Sequence, residues 1–179
     1  MRSPMCPGVC KDRLADAFDK FGRVPIEKRR ITVSADHPIF RWKEEPFWSA
    51  GGLIHDGRGH VLLIRHPPES GWGDAWVTPG GRLEKGETVL KGLEREVREE
   101  VGVELQRPVL TRILQQTLES GSRARYGYFA QFVALAATKD ITPGLDVVEV
   151  RWFDHLPLNL AFREDYERDF ARISGAANF

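Results

Sequence analysis

The sequence predicts an α/β protein in which a mixed central β-sheet is covered by helices on both faces. Strand-like segments stand on both sides of one central amphipathic helix, and a second amphipathic helix follows the last strand. The chain has 179 residues, of which 41% are hydrophobic. This length is typical of one globular domain with a short extension.

Residues 1–45 are predicted to form an N-terminal extension with a short helix and a strand. Leu14, Phe18 and Phe21 recur at helical spacing, and residues 30–34 alternate between apolar and polar side chains. Three roles are open to this extension. It covers a sheet edge, it exchanges between the protomers of a homodimer, or it is partly disordered.

Residues 46–179 are predicted to form the main domain. Its strands are expected where β-branched, aromatic and leucine residues cluster, at 47–54, 61–65, 109–118, 126–135 and 147–153. A short glycine-containing segment separates the first two strands, which predicts a hairpin. Apolar residues recur every three or four positions from Phe162 to Ile173, and this spacing predicts an amphipathic C-terminal helix.

The composition disfavours several classes of protein. The 26 Lys and Arg residues balance 26 Asp and Glu residues, so no global positive field favours nucleic acid as a partner. The longest apolar runs are far shorter than the roughly 18 residues of a membrane-spanning helix, and the start lacks a secretory apolar stretch. We therefore expect a cytoplasmic protein without membrane contact. Cys6 and Cys10 are too few ligands for a complete metal site.

The central helix carries the residues that indicate function. From Thr88, valine and leucine recur at steps of four until Gly102, which stands where the helix is expected to end. On a helical wheel with Val89 at zero, Glu100 falls at about 20° inside the apolar arc, and Glu96 at about −20° on its edge. A carboxylate buried without a partner costs several kcal/mol, and like charges at (i, i+4) repel. The pattern therefore predicts a compensating positive charge.

A hard divalent cation is the expected source of that charge. Glu96, Glu99 and Glu100 offer only oxygen ligands, which Mg²⁺ and Mn²⁺ prefer, whereas Zn²⁺ favours His and Cys. Arg95 is the (i, i+4) neighbour of Glu99 and is expected to orient one carboxylate. Gly92 leaves room beside the helix for a loop or a ligand. The alternative interpretation is a solvated acidic stripe on an exposed helix.

The segment from Gly81 to Val103 resembles the Nudix box. The pattern Gly-x5-Glu-x7-Arg-Glu-aliphatic-x-Glu-Glu-x-Gly-aliphatic is matched at all nine specified positions across 23 residues. By order of elements the likeness extends over about 47–157 and leaves residues 1–45 uncovered. The resemblance implies the Nudix fold, an α/β/α sandwich around a mixed sheet. It also implies hydrolysis of a diphosphate linkage in a nucleoside diphosphate joined to another group, with Mg²⁺ or Mn²⁺.

The resemblance assigns the metal ligands by position. Glu96 and Glu100 are the expected main ligands, while Glu99 holds a second metal or assists. A backbone carbonyl of Gly80 or Gly81 completes the expected coordination shell.

The resemblance also assigns positioning and catalytic roles. Arg95 is expected to orient a glutamate, and Glu87 to tie the preceding loop to the helix. A positioned carboxylate takes the proton of the attacking water. Three sources of this general base are open: a glutamate of the box, Glu149, or Asp146.

Residues near the predicted strand ends are candidates for substrate binding. Arginines pair with phosphate oxygens, and aromatic rings stack on bases. The candidates are Arg65, Arg82, Arg125, Tyr128 and Trp76. For each of them, a surface or packing role is the alternative.

Two further functions are open beside hydrolysis of a small nucleotide. Some Nudix-like domains sense nucleotides without cleaving them, but those tend to lose box glutamates, and here all are present. RNA decapping is disfavoured by the neutral net charge. The exact substrate is not determined by the sequence.

Overall fold

The structure, a computed structural model, describes residues 9–176, so Cys6 lies outside the described part. The helices are α1 (Val9–Phe21), α2 (Val89–Val101) and α3 (Arg163–Ala176). The strands are β1 (Ile26–Thr32), β2 (Phe47–His55), β3 (Val61–Arg65), β4 (Gly80–Arg82), β5 (Leu105–Ser120), β6 (Arg123–Ala136) and β7 (Glu149–Phe153). In residues 9–176, no helix is long and apolar enough to cross a membrane.

One sheet contains all seven of these strands. Its order is β1-β5-β6-β2-β3-β7, and β4 pairs with β2 beside this path. The β1–β5 and β2–β6 pairs are parallel, whereas the other pairs are antiparallel. The predicted mixed sheet is therefore confirmed.

Helices cover both faces of the sheet. Alternate residues of β3 point to opposite faces: Leu62 and Ile64 pack in the core beneath α1 and α2, while Val61 and Leu63 pack beneath α3. β3 is thus apolar from Val61 to Ile64, because this part of the strand is covered on both sides. The layers form the α/β/α arrangement expected from the sequence.

The long hairpin of β5 and β6 extends beyond the strands predicted at 109–118 and 126–135. The two strands pair as far as Ser120 and Arg123, around a turn in which Gly121 has a φ of 58°. Backbone hydrogen bonds continue the ladder past the last core residues, so the side-chain pattern underestimates its length. Conversely, β7 begins at Glu149, two residues later than the predicted start.

The described part of the predicted extension, residues 9–45, packs on the main domain. Leu14, Phe18 and Phe21 of α1 contact the core beneath α2, as their helical spacing predicts. β1 begins earlier than the predicted strand at 30–34 and lies parallel to β5 at the edge of the sheet. Exchange between protomers and a homodimer stay predictions.

Candidate active site

Helix α2 begins and ends where the sequence predicts. The side chain of Thr88 accepts a hydrogen bond from the Lys91 amide at 3.3 Å, and Gly102 closes the helix in the left-handed conformation with a φ of 68°. With these ends fixed, the apolar stripe of the helix packs on the sheet. Glu100 is consequently buried, whereas the side chain of Glu99 is 60% exposed.

Glu100 is the most deeply buried carboxylate of the helix. It is 8% exposed, and its Oε2 accepts a hydrogen bond from the Gly80 amide at 2.8 Å. Burial raises the pKa of Glu100 to about 8, and the negative charges of Glu96 and Glu99 act in the same direction, against the hydrogen bond from Gly80. A bound cation would favour the ionised form.

His66, directly after β3, lies beside this carboxylate. Its Nε2 is 3.6 Å from Oε1 of Glu100, and its Nδ1 is 2.8 Å from the carbonyl oxygen of Asp146. A carbonyl oxygen only accepts hydrogen bonds, so Nδ1 carries a proton. His66 therefore connects the chain around Asp146 to the buried carboxylate.

Arg95 donates hydrogen bonds to four residues. Its Nη1 donates to Glu96 at 2.9 Å and to Glu99 at 3.2 Å, which is the predicted (i, i+4) contact. Its Nε donates to Glu87 at 2.7 Å, and its Nη2 donates to the carbonyl of Arg82 at 2.9 Å. This guanidinium thus joins the helix to the loop that precedes it.

The carboxylates around Arg95 differ in their pKa shifts. The hydrogen bonds from Arg95 lower the pKa of Glu87. Burial raises the pKa of Glu96, although Arg95 opposes this shift. Glu96, like Glu100, is therefore held in surroundings that disfavour its negative charge.

Three glycines allow the loop and the helix to approach closely. A Cβ atom on Gly81 would lie 2.6 Å from the carboxylate carbon of Glu96, and one on Gly80 would lie 2.2 Å from a backbone oxygen of β2. On Gly92 it would lie 2.7 Å from Leu83, so the space predicted beside this glycine is filled by the loop. A larger residue would therefore displace Glu96 at position 81, β2 at position 80 and the loop at position 92.

These residues fit a hard cation by their chemistry. Glu96 and Glu100 supply oxygen atoms, and their raised pKa values show that their own surroundings do not offset the negative charge. Among the side chains that the structure describes, in residues 13–175, no group of three or more from His, Cys, Asp or Glu is gathered as a ready-made metal site. Arg95 instead holds Glu96 and Glu99 in hydrogen bonds.

The two candidate bases outside the helix lie on the β3–β7 side of the site. Glu149 is paired with Arg65 across the two strands, with 3.2 Å between carboxylate and guanidinium, and it also accepts from Arg151 at 2.6 Å. Asp146 contributes its backbone carbonyl to His66. Asp146 thus lies near Glu100, with His66 between them, whereas the contacts of Glu149 are with Arg65 and Arg151.

Arg82 lines a cleft at the side of the glutamates. The cleft has a volume of about 530 Å³, and its lining residues are Glu44, Arg82, Leu83, Glu84, Lys85, Arg95 and Glu96. The guanidinium of Arg82 is 3.5 Å from Glu44 and lies over the ring of Trp42 at 4.8 Å. Among the predicted substrate-binding residues, it is Arg82 that the structure places beside the carboxylates.

Arg125 and Tyr128 lie on β6 and contact residues in and just before the neighbouring strand β2. Arg125 donates to Glu45 at 2.9 Å, and Tyr128 stacks on Trp48 with 4.7 Å between the ring centroids. The ring of Tyr128 therefore already contacts another aromatic ring.

The structure separates Trp76 and Arg65 from the cleft. Trp76 is 7% exposed and packs against Phe153 in the core beneath α3, with 4.8 Å between ring centroids. Arg65 lies over the same ring at 5.6 Å. Trp76 is therefore a buried packing residue in this structure rather than an open platform for a base.

Sequence reasoning missed four contacts in and near the site. Glu44 and Glu45 pair with Arg82 and Arg125, His66 approaches Glu100, and Arg13 binds the loop before α2. Each contact joins residues more than 30 positions apart. No periodicity in the sequence reports such a contact, although the position of His66 at the end of a strand is a weak signal.

The family model for the NUDIX domain matches residues 45–172. The chain is 30% identical over 114 residues to "Nucleoside triphosphatase NudI" of Enterobacter sp. (strain 638). The matched region covers 59% of this chain and 81% of that protein. It is 30% identical over 112 residues to "8-oxo-dGDP phosphatase NUDT18" of Danio rerio, covering 60% of this chain. It is 39% identical over 56 residues to "8-oxo-dGTP diphosphatase" of Proteus vulgaris, covering 31% of this chain. The chain spans only 33% and 50% of the length of the latter two proteins.

The fold is similar to solved structures. A MutT NUDIX hydrolase from Burkholderia pseudomallei is 27% identical, with a TM-score of 0.54 over 66% of this chain and 92% of that one. A MutT protein from Methanosarcina mazei Go1 has a TM-score of 0.55 at 24% identity, over 73% and 96% of the two chains. The second of these supports the fold alone.

Proposed function

Because the chain belongs to the NUDIX domain family, we propose that it hydrolyses a diphosphate linkage in a small nucleotide substrate with Mg²⁺ or Mn²⁺. The observation that carries the proposal is the burial of Glu100, one helical turn from Glu96, where the surroundings raise the pKa of both carboxylates. Surroundings of this kind are typical of sites that bind or transfer charge.

Glu96 and Glu100 would hold the cation, with Glu99 as a further ligand and a carbonyl of Gly80 or Gly81 completing the shell. A divalent cation bound there neutralises phosphoryl oxygens and lowers the pKa of water. Arg95 holds Glu96 in place by the hydrogen bond at 2.9 Å.

The chain's own residues supply binding and proton transfer. Arg82 would pair with phosphate oxygens in the cleft beside Glu96, since a guanidinium matches a phosphate with two parallel hydrogen bonds. As water attacks phosphorus, the bond between phosphorus and the bridging oxygen breaks, and a carboxylate accepts the proton of the water. That base would be a glutamate of α2, Glu149 or Asp146.

The remaining predicted contacts are assigned to the rest of the substrate. Arg65 and Arg125 would bind phosphate oxygens by exchanging their present carboxylate partners, Glu149 and Glu45. Tyr128 would contact the base through the edge of its ring. Trp76 would act by supporting Arg65 from below, because it is buried.

The substrate class proposed here is nucleoside di- and triphosphates, including oxidised purine nucleotides. The activities after which two relatives are named, 8-oxo-dGTP diphosphatase and nucleoside triphosphatase, support this class. The balanced charge of the chain supports a small substrate over RNA.

A substrate screen tests this function. The full chain would be incubated with nucleoside triphosphates, 8-oxo-purine nucleotides, sugar nucleotides and dinucleotides, with Mg²⁺ and with Mn²⁺. We expect release of phosphate, pyrophosphate or a nucleoside monophosphate from members of the first two groups. Tight nucleotide binding without release from any member would instead favour a nucleotide-sensing module, which is the second candidate function.

A further inference from the structure

We propose that Arg13, in α1, is a positioning residue of the active site. It fixes the loop of residues 84–87, so that Glu87 holds Arg95 in contact with Glu96. The inference rests on the proposed function, because it concerns the same site. Arg13 precedes the region matched by the NUDIX family model, which begins at residue 45.

Arg13 is buried against the main chain of this loop. It is 4% exposed, its Nε donates to the carbonyl of Glu87 at 2.9 Å, and its Nη2 donates to the carbonyl of Glu84 at 2.7 Å. A single planar guanidinium thus bridges both ends of the loop. Hydrogen bonds from a charged donor are stronger than those between neutral groups.

The loop also forms a turn of its own, closed by a hydrogen bond from the Glu87 amide to the carbonyl of Glu84 at 3.2 Å. It contains Gly86, which has a φ of 83° and no other atom within 4 Å of the position where a Cβ would stand. A glycine at such a position allows the loop many backbone conformations when no hydrogen bonds hold it. Within the loop, the Glu84 amide donates to the Glu87 carboxylate at 2.7 Å, so the carboxylate and both carbonyls lie in one hydrogen-bonded unit.

Glu87 transmits the position of the loop to the helix. Its main-chain carbonyl binds Arg13, while its carboxylate accepts from Nε of Arg95 at 2.7 Å and from Nη2 at 3.1 Å. Arg95 in turn donates to Glu96 at 2.9 Å. Two guanidinium groups therefore hold one residue, one by its backbone and the other by its side chain.

A purely structural role would not require an arginine here. α1 already packs on the core through Leu14, Phe18 and Phe21. Burial of Arg13 disfavours its charge and lowers its pKa, against the attraction of Glu44 and Glu87. A buried charge whose hydrogen bonds go to the loop of the active site is better explained by the geometry it imposes there.

Four variants test this proposal in the full chain: Arg13→Met, Arg13→Lys, Arg13→Ala and Arg23→Ala. Arg13→Met keeps most of the apolar stem but removes the donors, and Arg13→Lys keeps the charge without the bridging geometry. Arg23→Ala is the matched control, since Arg23 is exposed and lies just after α1. Circular dichroism and thermal melting would establish that each variant is folded at the assay temperature.

We expect Arg13→Met to lower kcat about 10- to 100-fold, the range for residues that support a metal ligand, with KM for the nucleotide changed by less than about threefold. The Mg²⁺ concentration for half-maximal activity should rise by a similar factor. Arg13→Lys should be intermediate, and Arg23→Ala should match the wild type. Guanidinium ion at millimolar concentration should partly restore kcat in Arg13→Ala and leave Arg23→Ala unchanged.

The binding of Mn²⁺ alone separates this proposal from the proposed function. This binding is measured as the loss of the electron paramagnetic resonance signal of free Mn²⁺. If the wild type cleaves no nucleotide but Arg13→Met still binds Mn²⁺ about 10-fold more weakly, the proposed hydrolysis fails and the positioning role stands. A folded Arg13→Met variant with wild-type kcat, Mg²⁺ activation and Mn²⁺ binding would overturn the positioning role. An Arg13→Met variant that does not fold would also overturn it, in favour of a structural role.

Discussion

Two buried carboxylates on opposite faces of the sheet, Asp169 and Glu100, differ in the hydrogen bonds that they accept. Beneath α3, Asp169 is 1% exposed, and its Oδ2 accepts from the hydroxyl of Thr111 at 2.9 Å and from the amide of Gln131 at 2.7 Å. Beneath α2, Glu100 accepts one hydrogen bond, from Gly80, and lies near the like charge of Glu96. The first carboxylate is satisfied by neutral donors of the fold, and the second is not.

This difference distinguishes a structural polar group, Asp169, from Glu100, the carboxylate that we propose to be functional. Around Asp169, Arg112 donates to the carbonyl of Asp165 at 2.5 Å and Gln131 to the same carbonyl at 2.9 Å, so the network fastens α3 to the sheet. Buried polar groups in proteins are generally hydrogen-bonded in this manner. A buried carboxylate that lacks such donors and has a perturbed pKa indicates a site for charge from outside the chain.

The largest effect is expected from Glu100→Gln. The variant keeps the shape of the side chain but removes its charge, so it should retain the fold and lose catalysis. We expect kcat to fall by on the order of 10²–10³-fold, the scale for removal of one preorganised electrostatic group. The measurement is nucleotide hydrolysis at saturating Mg²⁺, with Glu94→Gln on the same helix as the control. Wild-type hydrolysis in a folded Glu100→Gln variant would contradict the assignment of this residue.

A smaller effect is expected from Asp169→Ala, which should lower the stability of the protein and leave its activity unchanged. The substitution leaves the Thr111 hydroxyl and the Gln131 amide without their acceptor in the core. We expect the free energy of unfolding to fall by about 1–3 kcal/mol, the cost of leaving buried donors unsatisfied. Urea denaturation measures this loss. Specific activity per folded molecule should stay unchanged, and a loss of kcat comparable to that of Glu100→Gln would remove the distinction between the two faces.

The smallest effect is a pH-dependent stabilisation by Mg²⁺. The folded protein raises the pKa of Glu100 from its ordinary value of 4.5 to about 8. Between these values the folded chain holds a proton that the unfolded chain has released, so this group lowers the stability as the pH rises. Mg²⁺ favours the ionised carboxylate, and its stabilising effect should therefore be larger near pH 8 than near pH 5.

Thermal melting of the metal-free protein, with and without Mg²⁺ at the two pH values, measures this effect. The Glu100→Gln variant is the control, because it has no carboxylate to titrate at this position. A gain in melting temperature that is equal at both pH values would indicate that the cation binds elsewhere.

Local patterns in the sequence were sufficient for α2 and its glutamates. The step of four from Val89 to Val101 predicted which side of the helix is buried, and the wheel position of Glu100 predicted its burial. Helical geometry alone fixes these relations, since residues on one helix are related by 100° per residue. The family itself was also recognisable from the spacing of residues within one segment.

Trp76 shows the limit of such patterns. A tryptophan in a segment rich in proline and glycine is compatible with an open base platform, but in the structure it is packed against Phe153. The difference depends on β3, β7 and α3, which enclose the ring. No property of residues 75–77 by themselves reports that enclosure.

The sequence by itself determined the order of the elements other than β4, the orientation of α2 and the positions of its carboxylates. Only the tertiary structure decided which partners these side chains have: Arg13 on the loop before α2, Glu44 beside Arg82, and His66 beside Glu100. The physical reason is the range of the interactions. Periodicity follows from the backbone geometry of neighbouring residues, whereas these contacts arise when elements distant along the chain bury their apolar faces on one sheet.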